Sequence, residues 1–288
     1  MAQGGNHTMA LLVGALAAFS FVCMDAVIKA MAVRYDALQL GFFRFAGGSV
    51  FALLLWAWQR SKLPPRAAWP GHVARSLFLL VSLVGYFHAL TLLPLAQTVT
   101  ISYLAPIFVS VLAVPVLKEQ PSGSIRLALG LGLAGIVISV LPELRGTAGM
   151  SNARLLGMAS ATAAAFSFAC VMLLARRQSR RDSVWTILLL QTMLPMLLLA
   201  APAAWAWKPV LYSDVGLILL AGALGTLGLL SLTHALKHLE ASRVAPLEYS
   251  GFVWAAGLGW LLFGEIPTLA TAAAAALIIA GCLMLLRR

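Results

Sequence analysis

Charge is what this sequence has least of. Charged side chains are 10% of its 288 residues, against about 25% in an ordinary soluble domain. Hydrophobic residues are 61%, and the mean hydropathy is +0.94. Too few polar side chains remain to cover a water-facing surface. A soluble globular enzyme is excluded, and so is a disordered chain. Cysteine is scarce as well. Cys23, Cys170 and Cys282 all lie inside apolar runs and form no CxxC pair. A disulfide scaffold and a thiolate metal site are thereby excluded. Acidic residues number only 9 against 20 Lys and Arg, a net charge of +11. In a soluble domain that balance would point to nucleic acid. Here the basic residues sit in short gaps between apolar runs, as in cytoplasmic loops facing anionic lipid. Also missing are HExxH, GxSxG and a paired Asp, so an intramembrane enzyme has no constellation to work with, and no cofactor or metal is expected. Gly130-Leu131-Gly132-Leu133-Ala134-Gly135 does fit G-x-G-x-x-G. No strand precedes it, so it reads as close helix packing through small residues.

Apolar runs are present at 9–33, 38–58, 70–92, 95–117, 123–141, 154–175, 184–206, 212–236, 241–263 and 267–286. Each is long enough to cross a bilayer, which takes about 20 residues. The expected fold is an all-α polytopic membrane protein of ten transmembrane helices, with the lipid bilayer as its partner. The stretch MAQGGNHT before the first run has no Lys or Arg, so that run reads as a span and not as a removed signal peptide. An even number of spans puts both termini on one side. Fourteen Lys and Arg fall on the side of the termini, among them Arg60, Lys62, Arg176, Arg177, Arg180 and Arg181, and five fall on the other. The positive-inside rule makes both termini cytoplasmic.

The chain also repeats itself. Ala17–Cys23 reads AAFSFVC and Ala164–Cys170 reads AAFSFAC, an offset of 147. His88–Leu93 matches His234–Leu239 at an offset of 146, and the same offset pairs Tyr103 with Tyr249, Glu119 with Glu265 and Pro121 with Pro267. Rare residues matching in one register indicate duplication. The halves are 1–150 and 151–288. Each holds five spans, an odd number, so the second copy is expected to cross the membrane inverted. A site between two inverted copies can open to either side in turn, which is the logic of alternating access.

Several of these residues also carry a family pattern. Phe43-Arg44-Phe45 stands in the second span, Phe263-Gly264-Glu265-Ile266-Pro267 closes the ninth, and a Gly-containing span, Ile278-Ile279-Ala280-Gly281, ends the chain. The sequence resembles the EamA-type transporters of the drug/metabolite transporter superfamily over essentially its whole length. Within them it is most similar to the bacterial aromatic amino acid exporters. Lys118 departs from the pattern, which usually has Gly there. The resemblance implies a multi-pass protein of the bacterial inner membrane that exports amino acids, aromatic or otherwise apolar, and related metabolites. The alternative is a multidrug carrier, or another metabolite carrier such as one for nucleotide sugars. A nucleotide-sugar site would want several cations for the phosphates, and only Arg44 is available.

Residues near the midplane are the expected cavity wall. Ser20 and Phe21 in the first span, and Phe168 in the sixth, lie at that depth. Tyr86, His88, Tyr103, Tyr249 and Trp254 are the polar aromatics of the neighbouring spans. Their rings suit an apolar side chain and their polar groups suit its orientation. Charges inside a span are costly and by default functional, which singles out Asp25, Arg44 and Glu248. Pro106 is expected to kink the fourth span as a hinge. Glu119 and Glu265 read as caps for the helices that follow them.

Overall fold

A computed structural model describes residues 2–92, 101–119, 122–144, 152–205 and 207–264, with scattered positions between 269 and 281. Among the described residues there is no strand. They hold nine longer helices, which follow the first nine apolar runs. They are α1 (Ala2–Met31), α2 (Ala37–Trp58), α3 (Trp69–Leu92), α4 (Ala105–Leu117), α5 (Gly123–Leu144), α6 (Asn152–Ser179), α7 (Val184–Trp205), α8 (Val215–His238) and α9 (Ser250–Phe263). Six are long and apolar enough to cross a membrane, and the helix pieces Ala105–Leu117 and Gly123–Gly135 are shorter apolar ones. The run at 267–286, with Glu265, Pro267 and Cys282, lies largely outside the described residues. Large apolar side chains stand exposed along the helices, as at Leu54, Val111 and Leu261. In a chain this greasy those outward faces meet lipid, so the protein is a polytopic membrane protein.

The most extensive helix pairs are α3 with α6, α1 with α8, and α2 with α7 and α8. Every one joins a helix before residue 150 to a helix after it. Exchanging each helix for its counterpart 147 or 146 residues away turns α1–α8 into α6–α3 and leaves α2–α7 unchanged. Hydrogen bonds fix the directions. At one end the loop after α1 meets the start of α8, where Arg34 Nε and Nη2 donate to Asp214 at 2.9 and 2.8 Å. There too the start of α2 meets the end of α7 through Gln39 and Lys208. At the other end the start of α3 meets the end of α6 through His72 and Asp182, 3.1 Å apart. The start of α7 meets the end of α2 through Thr186 Oγ1 and the Lys62 carbonyl, 2.7 Å apart. So α1 and α6 run in opposite directions, and so do α2 and α7.

Small residues allow the halves to touch backbone to backbone. A methyl group on Gly47 would come within 2.8 Å of the Ile218 carbonyl, and one on Gly222 within 2.6 Å of the Gly48 nitrogen. In α5, a methyl group on Gly132 would run into the Tyr249 ring, so that glycine of the G-x-G-x-x-G stretch is a packing residue.

Helix ends explain two of the motifs. Asp36 caps α2, its Oδ1 accepting from the Leu38 nitrogen at 2.9 Å. Both α4 and α9 end on a left-handed residue, Lys118 at φ 57° and Gly264 at φ 69°. These positions correspond at the 146 offset. Glycine tolerates that conformation freely, whereas a side chain is strained in it. The pattern's glycine is thus a helix terminator, and Lys118 terminates its helix less comfortably.

Both helices also begin at an irregularity. Residues 103–104 form a turn before α4, and a short helix (Ala241–Val244) with a 3₁₀ stretch (Ala245–Tyr249) leads into α9. Pro106 differs from the expectation of a mid-span kink. It sits in the first turn of α4, where its missing N–H has no helical partner to lose. The prolines that do stand inside helices are Pro115 of α4 and Pro195 and Pro202 of α7.

Candidate functional site: a cavity between the halves

The central cavity lies among α1, α2, α3, α6, α7 and α8. Its wall takes matching positions from the two halves. Phe21 and Phe168 face it, as do Arg44 and Gln191, and Phe45 and Thr192, each pair separated by 147 residues. Its open volume is about 50 Å³. That is room for roughly three or four waters, too little for an amino acid.

The Arg44 guanidinium stands 5.9 Å from the Phe21 ring centre and 5.2 Å from that of Phe45. Cations over aromatic faces are attracted by the ring quadrupole. Asp25, one turn beyond Phe21 on α1, is its electrostatic counterweight. Among the described residues, nothing accepts a hydrogen bond from the Arg44 side chain. Also on the lining, Gln191 is 6% and Thr233 1% exposed, and among the described residues the buried Gln191 carbonyl and Thr233 hydroxyl have no partner. Thr192 and Thr226 are instead bonded to carbonyls of their own helices.

A polar cluster adjoins the cavity. Asp25, Tyr86, Glu248 and Tyr249 all lie within electrostatic reach of Tyr103. The Tyr103 and Tyr249 rings are 5.6 Å apart, and the Tyr249 hydroxyl donates to the Tyr103 carbonyl at 3.2 Å. The aromatics and acids expected at the site are therefore brought together, with Phe21, Arg44 and Phe168 on the cavity wall itself. Others stand elsewhere. Ser20 is buried and bonded to the Leu16 carbonyl of its own helix at 2.8 Å. Trp254 is 42% exposed on an outer face, edge-on to Phe19 at 5.0 Å. His88 is exposed, 2.9 Å from the Ser160 hydroxyl of α6. Gln191 and Thr233 carry no site signal of their own in the sequence, and Phe45 stands there only within the Phe43-Arg44-Phe45 pattern. For Gln191 and Thr192 the repeat register carried the signal, since adding 147 to Arg44 and Phe45 lands on them.

Beyond the cavity, at each end, a buried carboxylate ties helices of the two halves together. Glu119, 5% exposed, accepts from Arg176 Nε at 3.0 Å, Arg180 Nη2 at 2.9 Å and the Ala241 nitrogen at 2.9 Å. Arg176 also donates to the Leu236 carbonyl. The cap expected of Glu119 is therefore made, but to a helix of the other half and not to α5. At the opposite end Asp214, 3% exposed, accepts from Arg34 and, at 2.8 Å, from the Tyr35 hydroxyl. Among the described residues no three His, Cys, Asp or Glu side chains gather as a metal site would need.

Comparison with known proteins agrees with this architecture. The EamA-like transporter family model matches twice, over residues 8–141 and 155–287. The chain is 30% identical over 279 residues to the pseudopaline exporter CntI of Pseudomonas aeruginosa, covering 96% of this chain and 95% of that protein. It is 24% identical over 263 residues to the S-adenosylmethionine uptake transporter of Rickettsia felis, covering 91% and 87%. A solved crystal structure superimposes with a TM-score of 0.80 at 21% identity, covering 96% of both chains, a likeness of fold. The family and these relatives are membrane transporters and not enzymes, and this chain belongs to the EamA-like transporter family.

Proposed function

We propose that the protein is a secondary transporter that exports small amphoteric metabolites, amino acids with aromatic or other apolar side chains among them, across the bacterial inner membrane. The observation that carries this reading is the cavity itself, walled by corresponding positions of the two halves. Residues 1–150 and 151–288 act as five-helix repeats of opposite orientation, ten helices in all. Rocking one repeat against the other exposes the cavity first to one side and then to the other. The end closed by Glu119 faces the cytoplasm with both termini, because its loops carry Arg60, Lys62, Arg177 and Arg181. Outward movement is favoured by the similarity to an exporter at 30% identity, against 24% to an uptake transporter. Two phenylalanine rings and one guanidinium suit a compact solute with an apolar body. A nucleotide sugar would need more cations than Arg44 supplies.

Counterflow tests the reading. Liposomes holding the purified protein and preloaded with unlabelled L-phenylalanine should take up labelled L-phenylalanine faster than protein-free ones. If phenylalanine does not exchange while a drug or a nucleotide sugar does, the alternative carrier reading replaces this one.

A further inference from the structure

The two halves put chemically opposite groups at one repeat position. Arg44 is the eighth residue of α2 and Gln191 the eighth of α7. Because these helices are antiparallel, the two stand about 10 Å in from opposite ends, and about 12 Å apart along the axis. Both open onto the same cavity. One offers five donors and a fixed positive charge. The other offers a buried carbonyl with no partner. An orphaned buried carbonyl costs free energy, and an unbonded intramembrane guanidinium costs more. Phe21 and Phe168, identical at their own repeat position, line the same cavity.

We propose, resting on the transport reading above, that Arg44 and Gln191 are the two poles of a single solute site. Arg44 takes a carboxylate by a two-pronged bond. The Gln191 carbonyl, with the Thr233 hydroxyl, takes the ammonium. The apolar body of the solute packs on the two phenylalanine rings. The site therefore selects solutes that carry both charges, and it tells their two ends apart. Asp25 balances Arg44 while the site is empty, so arrival of a carboxylate exchanges one counter-charge for another.

The test is inhibition of labelled L-phenylalanine counterflow by three compounds. They are phenylalaninamide, which lacks the carboxylate, 3-phenylpropionate, which lacks the ammonium, and unlabelled L-phenylalanine. In the wild type both single-pole analogues should inhibit about tenfold or more weakly than phenylalanine. Arg44→Gln should abolish the preference for phenylalanine over its amide while keeping the preference over 3-phenylpropionate. Gln191→Leu should do the converse. Arg44→Lys keeps the charge without the fork, and should fall between wild type and Arg44→Gln. If Arg44→Gln does not fold, the Gln191→Leu and Arg44→Lys profiles decide alone. An unchanged amide preference in Arg44→Lys, with an unchanged 3-phenylpropionate preference in Gln191→Leu, overturns the two-pole site and leaves the transport reading standing. A wild type that exchanges no phenylalanine overturns both.

Discussion

Replacing Glu119 by Gln should open one end of the protein. The side chain is 5% exposed and accepts three hydrogen bonds, all from the other half. Among the described residues Arg176, with 8% of its side chain exposed, has no other carboxylate bonded to it, whereas Arg180 is 49% exposed. A solvated pair such as Arg180 with Glu119 is worth little. The buried Arg176 pair carries the effect, since removing one partner of a buried ion pair costs about 3–5 kcal/mol. The amide keeps the shape and one acceptor, so about 2–3 kcal/mol is a fair expectation. Its NH₂ group also faces the Ala241 N–H, setting donor against donor. That penalty falls on the conformation closed at this end and is relieved where the halves part, so the open population should rise about 30- to 150-fold.

Cysteine labelling reads that population. Ala175 lines the cavity one turn before Ser179 and is 4% exposed. In a background without the three native cysteines, Ala175→Cys should resist a membrane-impermeant maleimide applied at the Glu119 end. Adding Glu119→Gln should speed its modification by the same 30- to 150-fold, about. Arg180→Gln should change it less than fivefold, in keeping with the modest worth of an exposed pair, about 1 kcal/mol at most. A drop in thermal stability with no change in labelling would refute the reasoning, because Glu119 would then brace the fold in every conformation.

Three further outcomes follow from particular contacts. Lys118→Gly should raise resistance to thermal unfolding in detergent by about 1 kcal/mol, because the left-handed C-cap strains a side chain and Gly264 already solves the same problem in the other half. Gly222→Ala should cut the yield of folded protein, since its methyl group would press on the backbone of Gly48. Gly216→Ala, with nothing within 4 Å of the new methyl, should be neutral or slightly stabilising, by up to about 1 kcal/mol. Phe168→Ala should reduce counterflow while Trp254→Ala should leave it near wild type, because the first lines the cavity and the second faces outward. Equal losses would detach transport from the cavity.

How much of this was legible in the sequence depended on which physics wrote it. Membrane residence was, because a bilayer imposes runs of about 20 apolar residues. The pairing of halves was, because Glu119, Tyr103 and their mates are rare residues in one register. Side-chain direction was not. Trp254 and Phe19 carry the same aromatic signal as Phe21, and only helix rotation sends one ring inward and another to lipid. Pro106 stands in the expected helix but in its first turn and not its middle, because the turn at 103–104 depends on tertiary packing and leaves no mark in hydropathy. Gln191 was overlooked because a search by charge passes over an amide, even one standing where the other half has Arg44. The partners of Glu119 were invisible for a different reason. Its donors come from 57, 61 and 122 residues away, and local capping rules look no further than the next helix.

On the proposed alternating-access reading, the two buried carboxylates also account for how the protein avoids leaking. Each half contributes one, at opposite ends, and donors of the other half hold it: Arg176 and Arg180 for Glu119, Arg34 and Tyr35 for Asp214. Both are engaged at once here, which agrees with a cavity of only about 50 Å³. Opening one end breaks one set of ties while the other holds. If each tie contributes about 3 kcal/mol, each open end has a weight near 1 in 150, and both open together one near 1 in 20,000. The straight-through path is then suppressed by a product of two modest numbers. Glu119→Gln or Asp214→Asn alone should raise exchange or leave it intact while liposomes still hold a preformed solute gradient. The double variant should lose that gradient even with no exchangeable solute on the other side. A double variant that holds its gradient as well as the single ones would show that the barrier to leakage lies in the packed helices and not in these ties.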